Sequence, residues 1–141
     1  IMATLNRHQL RQAAFQSVFG LAMNPDAQVE AVVQQVLDGD PEITWEDELP
    51  TDLLDMVNGI VDHQDEFDLT ISEYLADGWT IDRLNLADIV LMRVAMYEVK
   101  YAETPAKIAV NEALQLAHDF TDDASRKFIN GILNKALTPG E

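Results

Sequence analysis

The sequence predicts an all-α protein of about seven helices, packed around an apolar fifth helix. Three observations predict it. Apolar residues recur at helical spacing along nearly the whole chain, and no stretch keeps the alternation of a half-buried strand. Residues 86–99 are apolar almost all round, the pattern of a helix enclosed by other helices. The interruptions fall at glycine, proline and Asn-Pro, where helices stop. With 141 residues and 48% hydrophobic content, the chain is long enough to bury a sizeable core.

The elements follow in chain order. A first helix over about 5–23 stops at Asn24-Pro25. A second over about 26–38 ends at Gly39, read as a left-handed cap. A polar loop with Pro41 and Pro50 leads to Thr51, an N-cap candidate for a helix to about 65. A fourth helix, about 67–77, is closed by Gly78. The fifth covers about 80–102 and carries Asp88, Arg93 and Glu98 on no common face. Buried charges need partners, because an unpaired one costs several kcal/mol; Glu112 is the expected partner of Arg93. The sixth helix begins at Thr104-Pro105, a hydroxyl cap followed by proline. The seventh, about 124–137, takes Asp122, Asp123 or Ser125 as its cap. Gly131 inside it costs about 1 kcal/mol relative to alanine, which close packing by a neighbour would offset.

Charge is segregated. The formal net charge is −16, yet residues 1–25 hold Arg7 and Arg11 and no acid. Residues 26–88 hold 18 acids and a single base, Arg83, and the remainder is nearly balanced. Bulk attraction to nucleic acid is therefore disfavoured, whereas the acidic middle suits a basic protein. The chain has no cysteine, which excludes thiol chemistry and fits a reducing, cytoplasmic setting. It shows no signal-peptide pattern and no apolar run of membrane-spanning length.

On a helical wheel Arg7 and Arg11 fall within the apolar arc of the first helix. Like charges four apart, near a helix N-terminus, break two local rules, and such breaks concentrate at functional sites. Two explanations stand. The core ends after about two turns and the arginines grip an anion, most simply RNA phosphate. Alternatively, they are salt-bridged to the acidic middle of the same chain. A metal site is a third idea for the region Asp62, His63, Glu66, but His8 and His118 lack a matching array, so no metal and no cofactor is expected. Calcium-loop spacing, a glycine-rich phosphate loop and a nucleophile elbow are all missing from the sequence.

The segment WTIDRLNLADIVLMRVAMYEVKYAETPAKIAVNEALQLAHDF, followed by RKFINGILNKAL, resembles the NusB family of bacterial transcription antitermination factors. The features that carry this are Trp79, Asp82-Arg83-Leu84, Arg93 with Ala95, Tyr97-Glu98, Pro105, Asn111-Glu112-Ala113, Leu116-Ala117, Phe120, Lys127-Phe128 and Asn130-Gly131. In the first helix Arg7, Arg11, Ala14, Gln16 and Phe19 match as well, while 24–65 matches loosely. The resemblance implies one NusB-like domain of two small helical subdomains, about 1–78 and 79–138, and no enzyme activity. It implies binding of single-stranded boxA-type RNA together with NusE, a small-subunit ribosomal protein, in the transcription elongation complex. Arg7, His8, Arg11 and Lys127 then become RNA-contact candidates. Glu73 and Asp77, four apart on the fourth helix, become candidates for docking the basic partner.

The chain departs from the family pattern at three places. Its start keeps two arginines and a histidine rather than a longer basic run; His118 and Ile89 stand where basic residues are common. Two phosphate contacts give a salt slope of only about −1.4, so affinity is expected to come partly from the partner. Two alternatives share the fold: a protein-interaction module with little intrinsic RNA binding, and a detached RNA-binding domain of an RNA methyltransferase. A homodimer also stays among the expected states, because some relatives self-associate through faces that overlap partner sites.

Overall fold

A computed structural model describes residues 5–138, and among these residues every regular element is helical. The elements are α1 (Arg7–Met23), α2 (Val29–Asp38), α3 (Thr51–Asp62), α4 (Gln64–Glu73), α5 (Leu86–Tyr101), α6 (Ala106–Phe120) and α7 (Asp123–Leu137), with a short 3₁₀ turn at Ile81–Arg83. The chain divides into two compact units, one up to Asp62 and one from His63 onward. The division comes earlier than residue 78, because α4 packs against α5 and α7.

In the first unit α1 packs on both α2 and α3. Asn6 starts α1 with a reciprocal capping box: the Gln9 N–H donates to Asn6 Oδ1 at 2.7 Å, and the Asn6 N–H donates to Gln9 Oε1 at 3.1 Å. A Cβ at Gly20 would lie 3.2 Å from Val32 Cγ1, so the missing side chain sets the close approach of α1 and α2. Ala14, Val18, Val33, Leu37, Leu53, Val57 and Ile60 are fully buried. In the polar loop before α3, the Trp45 indole N–H donates to Asp38 Oδ1 at 2.9 Å and ties the loop back to α2. Gly39 ends α2 in right-handed geometry (φ −81°), not the left-handed cap expected of it.

In the second unit α5 touches α4, α6 and α7, as its all-round apolar surface predicts. Every residue from Asp88 to Met96 is buried. The helix starts later than residue 80: Leu84 is extended, and Asn85 caps by accepting the Ala87 N–H at 2.9 Å. Arg93 pairs with Asp68 of α4 rather than with Glu112. Two parallel hydrogen bonds run from Nε to Oδ1 (2.8 Å) and from Nη2 to Oδ2 (2.7 Å). Pro105 is the cap position of α6, and the Thr104 hydroxyl donates to Glu98 Oε2 at 3.4 Å instead of capping. Asp122 caps α7 by accepting the Ser125 N–H at 2.9 Å. A Cβ added at Gly131 would meet nothing within 4 Å among the described residues beyond its own helix, which overturns the expectation of close packing there. The buried stripe of α7 is Ser125, Ile129, Ile132 and Leu133, and Gly131 points away from it.

Candidate functional site

The capping box makes Arg7 the first residue of α1, and its side chain is exposed, as is that of His8. A cation here opposes the helix dipole by about 0.3–1 kcal/mol and recovers nothing by burial. Arg11, one turn on, is different: it is 5% exposed and is engaged within the protein. The hydrophobic interior therefore does not stop short of both arginines. Ala14, Phe15 and Val18 bury the next turn, and the core reaches back to include Arg11.

Lys127 is exposed on the second turn of α7. With Leu114, Asp123, Arg126 and Asn130 it lines an open depression of about 330 Å³. Arg126 Nη1 reaches Asp123 Oδ1 at 3.4 Å, and Arg126 Nε has no hydrogen-bond partner among the described residues. Glu73 and Asp77 are both exposed, but they do not share a helix. The helix expected to reach residue 77 ends at Glu73. The Tyr74 and Leu75 N–H groups turn back to the Ile71 and Ser72 carbonyls, and Gly78 then takes φ +86°.

His63 and Glu66, two of the three residues of the metal-site idea, do other work. The His63 ring stacks on Tyr101 with centroids 4.1 Å apart. Glu66 accepts the Tyr101 hydroxyl at 2.8 Å and the Lys100 ammonium at 2.8 Å. The bond from Lys100, with that from Tyr101, holds the Glu66 carboxyl below its usual range, while the same contacts push Lys100 and Tyr101 up. Among the described residues no group of three or more His, Asp and Glu could hold a metal ion.

One further place was not singled out from the sequence as a site. A cavity of about 490 Å³ is lined by Trp79, Arg83, Asp88 and Phe128, with Leu75 and Leu84. Trp79 is 51% exposed, a large apolar surface left to solvent. The Arg83 guanidinium lies over its ring, 4.8 Å from the centroid, and Nη1 donates to the Gly78 carbonyl at 3.1 Å. Asp88 is 6% exposed, and its Oδ1 is buried without a hydrogen-bond donor among the described residues. A buried acceptor left unpaired costs about 1–3 kcal/mol. Burial pushes the Asp88 carboxyl above its usual range and Asp122 adds to that, while the Ser125 hydroxyl opposes it. The available sequence signal was Arg83, the lone base of an acidic stretch.

The model of the NusB family matches residues 8–138. The chain is 44% identical over 137 residues to the transcription antitermination protein NusB of Ligilactobacillus salivarius, covering 95% of this chain and 99% of that protein. It is 45% identical over 135 residues to the NusB of Levilactobacillus brevis, covering 95% and 94%. Among solved structures, T. maritima NusB superposes with a TM-score of 0.78 at 24% identity, covering 96% of this chain and 92% of that one. A chain from a complex of the antitermination factors NusB and NusE with dsRNA superposes with a TM-score of 0.76 at 19% identity, covering 94% and 96%. These two structures establish the shared helical fold.

Proposed function

This chain belongs to the NusB family, and from that membership we infer that it is an RNA-binding transcription antitermination factor. It takes single-stranded boxA-type RNA together with NusE, within the transcription elongation complex. The curated relatives at 44–45% identity are antitermination proteins, and a structural neighbour was solved with NusE and RNA. The observation in this chain that supports RNA contact is Arg7. It stands exposed at the first position of a capped helix, where a cation is disfavoured by the dipole and gains from a phosphate. His8 beside it and Lys127 on α7 are the other exposed contacts. Arg11, being buried, holds the turn that presents Arg7. Glu73 and Asp77 offer negative charge to the basic partner, in keeping with the 18 acids of residues 26–88. No chemical reaction is assigned to the protein, and its setting is the cytoplasm.

The test is a titration of single-stranded boxA-type RNA, with and without NusE, at two salt concentrations. Binding tightens when NusE is present and weakens as salt rises. Arg7→Ala lowers the salt slope by about 0.7 and leaves the melting temperature unchanged. A protein that binds no RNA even with NusE present overturns the RNA assignment and leaves a protein-interaction module.

A further inference from the structure

We propose that the cavity walled by Trp79 and Phe128 receives one guanine base of the bound RNA. The base stacks on the Trp79 indole and turns its Watson–Crick edge toward Asp88. The proposal rests on the RNA-binding function inferred above and names a base-specific subsite for it. Four observations carry it. The volume, about 490 Å³, is that of a small-ligand site. The indole is half-exposed and held in place from one side by Arg83, and a fixed aromatic face is what an unstacked base needs. The Asp88 residue lines the cavity, is more than nine-tenths buried, and keeps one carboxyl oxygen without a donor among the described residues. Rotation about its soft Cβ–Cγ torsion exchanges the two oxygens. Finally, Arg83 is the only base among residues 26–88. Among the described residues its guanidinium has the hydrogen bond to Gly78 and the indole beneath it, and no carboxylate partner. It is placed to meet the phosphate attached to the base.

The donor pattern selects guanine. A carboxylate only accepts, so it pairs best with two adjacent N–H groups. Among the four RNA bases, guanine alone carries these on its Watson–Crick edge, at N1 and N2. A protein partner fits less well. A lysine or arginine entering toward Asp88 would meet the Arg83 charge in the same lining, and an apolar side chain would leave the Asp88 acceptor unpaired.

The experiment uses the full chain with Trp45→Phe, so that Trp79 is the sole indole. Its fluorescence is followed during titration with a short single-stranded RNA carrying one guanine, and with the same strand carrying inosine there, which lacks the N2 amino group. The guanine strand quenches Trp79 and binds more tightly than the inosine strand. Trp79→Ala weakens binding of the guanine strand about 5- to 150-fold. Asp88→Asn abolishes the preference for guanine over inosine, and thermal melts show that both variants stay folded. Equal RNA affinity in wild type and Trp79→Ala overturns the subsite and leaves the RNA-binding function standing. Absence of RNA binding by the wild type, with NusE added, overturns both. Quenching by NusE alone, lost in Trp79→Ala with RNA affinity unchanged, assigns the cavity to a protein and overturns the proposal.

Discussion

Asp88 and Arg93 lie on the same helix, both buried, and the protein treats them in opposite ways. Arg93, in the middle of α5, is met by a carboxylate in a two-point clasp. Asp88, in the first turn, keeps one oxygen without a donor among the described residues and lines a cavity that Trp79 and Arg83 also line. The same contrast separates the two arginines of α1, with Arg11 buried and Arg7 left in solvent at the helix start. The difference teaches how to sort charges in a helical protein. A charge that the fold has already answered is part of the scaffold. One left exposed against the dipole, or buried with one oxygen unanswered, is kept at a cost that a ligand can return.

The most disruptive way to probe the contrast is to remove the answering group from the satisfied charge. Asp68→Ala leaves the Arg93 guanidinium buried without its carboxylate, and the free energy of unfolding in urea falls by about 3 kcal/mol. Asp68→Ala together with Arg93→Met recovers much of that loss, since no unpaired charge then remains. A loss below the error of the urea extrapolation would mean that the clasp is ornamental. A smaller effect is expected at Gly131, which lies on the open face of α7. Gly131→Ala meets no obstacle and stabilises the protein by up to about 1 kcal/mol through helix propensity. Destabilisation there would show that a close neighbour needs the glycine.

These same positions show what could be read before the structure. The all-round apolar character of residues 86–99 made α5 a central helix, because 3.6-residue periodicity reports burial directly. It also showed that Arg93 needed a carboxylate. It could not choose between Glu112 and Asp68, since that depends on how α4 is set against α5, a long-range fact. The burial of Arg11 was visible as one of two options on the wheel, where it sits in the apolar arc. Deciding between them required knowing how far the core extends. The propensity cost of Gly131 suggests a close neighbour, but the spacing of Ile129, Ile132 and Leu133 already turns it outward. The end of α4 was set too late because the stop comes from turns at Tyr74 and Leu75, which carry no glycine or proline signal, and so Glu73 and Asp77 lost their shared face. The cavity was missed because it is assembled from the loop before α5, the first turn of α5 and α7, and no local spacing links Trp79, Asp88 and Phe128.

The Asp88 carboxyl, with one oxygen unanswered, also has a signature in pH. A carboxyl raised in the folded state binds its proton more tightly there than in the unfolded chain. Its contribution to stability is therefore fully present in acid and is lost as pH climbs through the raised folded value. Burial is the main cause at Asp88, and Asp122 works in the same direction. Glu66 behaves oppositely: lowered by Lys100 and Tyr101, it supports the fold above the usual carboxylate range and stops doing so as pH falls.

The decisive measurement is an NMR pH titration of the Asp88 side-chain carboxyl carbon, in the free protein and with a saturating guanine-containing single-stranded RNA. The account predicts a titration above the ordinary carboxylate range in the free protein, moving downward when RNA supplies donors, with Glu66 unmoved as the internal control. An Asp88 titration that is ordinary in the free protein, or identical with and without bound RNA, would contradict the claim that this helix keeps one buried charge for a ligand.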